Sequence, residues 1–189
     1  MAKTLTVKQK RWLLYAHILF TVAWLGTVFG FLVLSVTAAI TRDGDTLKGV
    51  YIAMRLLDLT VVQVSAIGTI ITGVLLGVLT QWGLTKFYWI IVKEILSVFS
   101  IALGIFAMHN LIIESVSITS AQGLDALHDP TYTVNRSVIL AGIVLEIVSL
   151  SVMVLLSVFK PWGKRKENTH KPGKRTDKLE EKVGREPAA

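Results

Sequence analysis

The sequence predicts an all-α membrane protein, a bundle of four transmembrane helices with both termini in the cytoplasm. Hydrophobic residues make up 52% of the 189 residues, charged residues make up 17%, and the apolar residues gather in four long runs. A soluble domain carries more charge than this. Each run reaches the roughly 20 residues that an α-helix needs to cross about 30 Å of hydrocarbon, and none alternates as the strands of a membrane barrel do.

The predicted transmembrane domain covers residues 12–160, with spans at about 12–40, 59–79, 88–113 and 137–159. Apolar residues surround each span instead of following one stripe along it. Such a helix is expected to face lipid on the sides that do not pack against its neighbours. We therefore predict a multi-pass protein whose main partner is the bilayer.

The first span has one alternative interpretation, a cleavable signal peptide. Lys8, Lys10 and Arg11 would form its basic start, and residues 36–38 resemble a small-residue cleavage site. The apolar segment of a signal peptide has about 7–15 residues, whereas this run continues from 12 to 40. We therefore predict a retained helix.

Basic residues at both ends of the chain set the predicted orientation. Residues 1–11 form a basic arm, and residues 161–189 form a tail rich in lysine and arginine. The positive-inside bias places both in the cytoplasm, as an even number of spans requires. The loops at 41–48 and 119–135 are then expected outside. Aromatic residues at the cytoplasmic ends fit an interfacial belt; they are Trp12, Trp82, Tyr88, Trp89 and Trp162.

The tail is expected to be mostly disordered, because it is charged, poor in aromatic residues and interrupted by Pro161 and Pro172. Its basic side chains are expected to bind anionic lipid headgroups rather than nucleic acid. The other partners that we expect are a second copy of the chain or an electron-transfer protein.

Ionisable side chains inside the spans are the candidate functional residues, because charge is costly in hydrocarbon. The first, third and fourth spans contain His17, Lys93, Glu94 and Glu146. A rise of about 1.5 Å per residue puts His17 and Lys93 about 9 Å above the cytoplasmic boundary, and Met153 about 10 Å above it. The sequence thus predicts one layer that contains His17, Lys93 or Glu94, and Met153.

His109 is expected to lie outside this layer. It follows Phe87 by 22 residues, which corresponds to about 33 Å along a helix. That distance places it at the outer surface near Glu114, so His17 and His109 cannot ligate the same metal or haem iron. The chain has no cysteine, which excludes disulfides and thiolate metal sites.

Glu146 lies near the middle of its span, level with Trp24. Two interpretations stay open for this carboxyl group. It forms a hydrogen bond between helices, or it belongs to a proton relay. Lys93 has a comparable alternative, since a lysine near the membrane surface can extend its ammonium group to the water.

Glycines four residues apart predict close helix packing in two places. One pair is Gly26 and Gly30 in the first span, and the other is Gly73 and Gly77 in the second span.

Two features of the sequence resemble known membrane families. His17-x6-Trp24-x-Gly26 resembles the opening of the CopD copper-resistance membrane domains and of the HemJ-type protoporphyrinogen oxidases. The run W-G-L-T-K-F-Y-W at 82–89, with Lys93 four residues later, resembles an uncharacterised bacterial family of four-span integral membrane proteins. The resemblance covers about residues 12–110 and implies the bacterial cytoplasmic membrane as the location.

The HemJ-type resemblance implies a haem b cofactor and a role in redox chemistry or in haem and porphyrin metabolism. On this hypothesis His17 is the metal ligand on one side of the haem iron, the other axial ligand is Met153, Lys93 or no residue, and Trp24 belongs to the cofactor site. Lys93 and Glu146 are then the candidate catalytic residues.

Two other functions stay open. The first is a small transporter or a copper- or ion-handling protein, in which Glu146 and His17 lie on a polar path. A metal route would favour more methionine, histidine or cysteine than the four methionines and one deep histidine of this chain. The second is an accessory membrane subunit without chemistry of its own.

Overall fold

The computed structural model describes residues 5–80 and 82–163. This part of the chain forms four helices that are long and apolar enough to cross a membrane, and it contains no extended strand. They are α1 (Val7–Ile40), α2 (Gly44–Leu79), α3 (Tyr88–His128) and α4 (Pro130–Phe159). The predicted all-α four-helix architecture is confirmed. The predictions for the distal tail concern residues 164–189, which lie outside the described ranges.

Three of the helices extend well beyond the apolar spans that the sequence predicts. Helix α2 begins at Gly44, and its first segment, Gly44–Leu57, buries Leu47 and Met54 while its polar side faces outward. Helix α3 continues to His128 and ends in a short 3-10 segment, Gly123–His128. Hydropathy marks only the part of a helix that crosses hydrocarbon, so the expected loops at 41–48 and 119–135 are largely helical.

Side-chain caps explain why the connections between the helices are so short. Asp43 accepts hydrogen bonds from the backbone N–H and the hydroxyl of Thr46 at the start of α2. Asp129 caps α4, which has Pro130 in its first turn. The Gln122 amide and the first backbone N–H groups of α4 donate to Asp129, and these bonds hold the pKa of its carboxyl below the ordinary value. Caps of this kind satisfy N–H groups that a helix start leaves unpaired.

Helices α2 and α3 each contain one π-helical turn. The turn in α2 spans Asp58–Val62, and the turn in α3 spans Leu103–Met108. A π-helical turn inserts one residue into the α-helical ladder and re-aims the side chains around it, and such turns are frequent at functional sites.

The packing differs between the two halves of the bundle. We call the half where α1 is joined to α2, and α3 to α4, the far half; the other is the terminal half. In the far half Gly44–Leu57 packs against His109–Gln122. In the terminal half Gln63–Leu79 packs on α1 and Tyr88–Ala102 packs on α4, while at most a few contacts join these two segments to each other. The bundle is therefore open on one side, between α2 and α3.

The two glycine pairs behave differently. A side chain at Gly73 would contact the imidazole of His17, and one at Gly77 would contact Leu84, so this pair does permit close approach. At Gly26 and Gly30 no described atom lies within 4 Å of where a Cβ atom would stand. The prediction of close packing is wrong for that pair within the described chain.

A partly buried polar pair joins α2 to α3 where their π-helical turns begin and end. His109 Nδ1 lies 2.7 Å from Asp58 Oδ2, and the two side chains are 26% and 6% exposed. The imidazole donates and the carboxylate accepts. The rise per residue had predicted that His109 lies at the outer surface beside Glu114. It lies beside Asp58 instead, and Glu114 accepts a hydrogen bond from Asn135 at 2.8 Å.

This pair is expected to stabilise the closed far half. We predict that His109→Ala, which leaves the Asp58 carboxylate buried without a partner, lowers the free energy of unfolding by about 2 kcal/mol. Asp58→Asn is expected to cost less, because its amide oxygen still accepts from the imidazole. A double-mutant cycle measured by denaturant unfolding in detergent would give the coupling energy.

The matched control is Asn110→Ala, which removes an exposed neighbour whose amide donates only to a carbonyl of its own helix. It is expected to leave stability nearly unchanged. A coupling energy near zero between positions 58 and 109 would contradict the stabilising role of the pair.

Candidate functional site

The main internal feature of the described bundle is a cavity of about 270 Å³ at the level of the two π-helical turns. All four helices contribute to its wall. Most lining side chains are apolar or aromatic, and they include Trp24, Phe31, Ala66, Met108 and Ile143. Both π-helical turns lie in the wall, so the local departures from α-helical geometry and the cavity coincide.

The cavity opens sideways, between α2 and α3. Ile67 and Ile105 belong to its wall, and they are 58% and 52% exposed on the outside of the bundle. These residues lie where the terminal halves of the two helices separate. Because this level of the bundle lies within the predicted spans, the opening faces the hydrocarbon of the bilayer.

Two polar side chains in the wall lack hydrogen-bond partners. Glu146 on α4 is 9% exposed and Ser100 on α3 is 1% exposed. The Ser100 hydroxyl lies close to the Glu146 carboxyl, yet neither Ser100 Oγ nor Glu146 Oε2 has a partner with hydrogen-bond geometry among the described residues. Buried polar atoms in folded proteins are nearly always paired, so these two atoms mark a place where a ligand could bind.

The α4 sequence explains how Glu146 comes to face the interior. Gly142, Glu146, Ser149 and Met153 follow one another on a single helix face, and all four are buried in the structure. Gly142 lets the Met108 side chain pack directly against the α4 backbone. Trp24, 2% exposed, completes the wall from α1.

His17 lies in the terminal half, bound to α2. Its Nδ1 is 3.1 Å from the carbonyl oxygen of Thr69 and 2.9 Å from the hydroxyl of Thr72. The Thr72 hydroxyl donates to the carbonyl of Gly68, so both oxygen atoms can accept from His17. Nδ1 therefore carries the hydrogen, and Nε2 is the nitrogen left to ligate a metal.

Lys93 and Met153 lie in the same half, between α3 and α4. The ammonium of Lys93 donates to the Ser157 hydroxyl at 2.6 Å, and the Ser97 hydroxyl donates to the sulfur of Met153 at 3.2 Å. Lys93 is near enough to His17 for a coulombic interaction. The structure thus brings the predicted layer into one half of the bundle, but its residues do not line the cavity that contains Glu146 and Trp24.

One of the predicted haem ligands has a free ligating atom. Nε2 of His17 suits one axial ligand, whereas Met153 and Lys93, the candidates for the second ligand, already have hydrogen-bond partners. None of the three residues lines the cavity. Within residues 5–80 and 82–163, no three His, Asp or Glu side chains come together to hold a metal ion.

Sequence analysis overlooked Asp58 and His109 as parts of a cavity wall. The available signal was their depth, since both stand at the far ends of their predicted spans and could have been paired with each other. Ser100 was visible on the face that Lys93 and Ser97 share, but nothing in the sequence showed that its hydroxyl would lie near Glu146. The π-helical turns gave no recognisable signal.

Comparisons with known proteins agree with the fold. Neither the search of curated proteins nor the search of solved structures gives a match. Residues 11–161, which include all four transmembrane segments, match the sequence model of one family. The chain is an integral membrane protein and belongs to the family described as predicted integral membrane protein (DUF2269).

Proposed function

We propose that this protein binds a small molecule with an apolar body, which reaches the cavity from the lipid phase. The observation that carries the proposal is the pair of buried, unpartnered polar atoms, Glu146 Oε2 and Ser100 Oγ, in the wall of an otherwise apolar cavity. Ligand sites commonly combine an apolar lining with a few convergent polar groups. An ionisable residue inside a membrane bundle is a functional candidate by default.

The proposal assigns different roles to different parts of the wall. The opening between Ile67 and Ile105 admits the ligand without exposing it to water. Trp24 and Phe31 contact its apolar body, and Glu146 anchors its polar group. The same arrangement would serve a transporter, because a carboxyl group at mid-depth can hold a substrate or a proton between the two surfaces.

We predict that a lipid-phase quencher enters the cavity and contacts Trp24. In proteoliposomes 1-bromodecane should quench the wild type more than Trp24→Phe, and the difference reports the Trp24 ring. Gly104 lies in the wall, and no described atom lies within 4 Å of its Cβ position. Gly104→Leu should therefore fill the cavity without a clash and abolish most of the Trp24 quenching.

The matched control is Gly26→Leu, because the Cβ position of Gly26 is equally open but lies outside the cavity wall. It should leave the Trp24 quenching unchanged. Equal quenching of Trp24 in all glycine variants and the wild type would contradict entry of the probe into the cavity.

The second candidate function is the binding of haem b through His17. The observation that favours it is the arrangement at Nδ1, where two oxygen acceptors fix the ring and leave Nε2 to bind iron. Haem would supply one-electron redox chemistry. Within this candidate, Thr72 orients the imidazole, and Lys93 places a positive charge near the site.

An absorption spectrum of protein purified from haem-replete cells tests this candidate. A Soret band is expected that disappears in His17→Ala and is weakened in Thr72→Val, which removes one acceptor at Nδ1. His109→Ala is the matched control and should keep the band, because that imidazole is bonded to Asp58. Colourless wild-type protein would exclude the candidate.

A further inference from the structure

The charges around the cavity point to a class of ligand. Helix α1 contributes only apolar and aromatic side chains to the wall. The titratable residues of the wall are Asp58 on α2, His109 on α3 and Glu146 on α4, beside the neutral polar side chains Gln63 and Ser100. Asp58 and His109 are bonded to each other. Glu146 is therefore the one titratable group in the described wall that has no counter-charge.

Resting on the proposed function, we infer that the ligand is a monovalent organic cation with an apolar body, such as an alkylammonium, and that Glu146 is its counter-charge. A carboxylate without a partner is costly in apolar surroundings, whereas the same carboxylate beside a cation is compensated. The cationic ligand supplies the counter-charge that no described residue of the wall gives to Glu146. The apolar body fits the lateral opening, which an inorganic ion would have to cross without hydration.

The aromatic part of the wall supports the same class. Trp24 and Phe31 both line the cavity and are 2% and 5% exposed. Aromatic rings attract alkylammonium groups through their electron-rich faces, most strongly when water is excluded. The unpartnered Ser100 hydroxyl adds an acceptor for an N–H donor.

Other ligand classes fit these residues less well. An anion would be repelled by Glu146, and the basic residue of the wall, His109, is already bonded to Asp58. A divalent metal ion prefers six or so oxygen ligands, and the wall offers two carboxylates, one of which is paired. A neutral ligand gives the Glu146 carboxylate no counter-charge, so Glu146 would have to be protonated beside it.

Binding to the full-length protein in lipid nanodiscs tests the inference. The probes are radiolabelled decylammonium, 1-decanol and decanoate, each corrected for its uptake by empty discs. Decylammonium should bind saturably and at least tenfold more tightly than decanol, because a hydrogen bond between charged partners is worth roughly a factor of ten or more. Its affinity should fall as the pH is lowered, since a proton and the cation compete for one carboxylate.

Substitutions at position 146 assign the effect to the carboxylate. Glu146→Gln should weaken cation binding roughly tenfold or more. It should weaken decanol binding much less, because the neutral amide still bonds to a hydroxyl. Glu146→Asp, which keeps the charge, should retain much of the cation binding. Saturable decanol binding also shows that the Gln variant is folded, and the comparison of headgroups in the wild type does not depend on any variant.

Each contrary outcome has its own meaning. Decanol or decanoate binding as tightly as the cation in the wild type would overturn the cation assignment while leaving the cavity as a ligand site. Cation binding that Glu146→Gln does not change would overturn the role of Glu146. The absence of saturable binding for all three probes would overturn both the inference and the proposed function.

Discussion

In a bilayer, the polar groups of the chain must find their partners inside the protein, because hydrocarbon offers none. This bundle meets the constraint almost everywhere within its described spans. The hydroxyls of Thr21, Thr27 and Thr72 donate to carbonyl groups one turn earlier in their own helices. Lys93 and His17 reach across to neighbouring helices for theirs. Five buried side-chain atoms of the described residues have no hydrogen-bond partner, and two of them, Glu146 Oε2 and Ser100 Oγ, belong to the cavity wall. The other three, which lie outside the wall, are Thr69 Oγ1, Glu94 Oε1 and Ser115 Oγ.

The shape of the cavity follows from how α2 and α3 are held. In the far half the two helices pack together. The bond between Asp58 and His109 lies at the end of this contact that is nearest the cavity. Beyond this point each helix passes through its π-helical turn and follows a different neighbour, α1 for the one and α4 for the other. The space left between them is the lateral opening. The bond between Asp58 and His109 and the two π-helical turns beside it thus produce both the cavity and its opening toward lipid.

The sequence was sufficient to predict the fold because hydropathy and length are strong signals for membrane helices. Helical periodicity also places Glu146 on one face with Gly142, Ser149 and Met153, and all four are buried. The rise per residue, counted from the ends of the spans, predicted that His17, Lys93 and Met153 lie at the same depth in the bundle. It could not show that Glu146 and Trp24 share a cavity that excludes these three, because that depends on which helices separate.

The failures of sequence reasoning have physical causes. Polar segments such as Gly44–Leu57 remain helical because caps and packing stabilise them, although hydropathy assigns them to loops. His109 was assigned to the surface because a rise per residue gives height but not direction around the helix. The π-helical turn at Leu103–Met108 changes that direction just before His109. A sequence without such a signal cannot predict that the imidazole turns toward Asp58.

The central claim is that the cavity wall at Gly104 faces a space that lipid-phase molecules enter and water does not. Because the chain has no cysteine, Gly104→Cys places a single nitroxide spin label there in liposomes. Power-saturation measurements then compare its collisions with oxygen, which concentrates in hydrocarbon, and with a water-soluble nickel complex. The account predicts frequent collisions with oxygen and few with nickel. Protection from both reagents, as in a packed core, or frequent collisions with nickel, as in an aqueous channel, would contradict it.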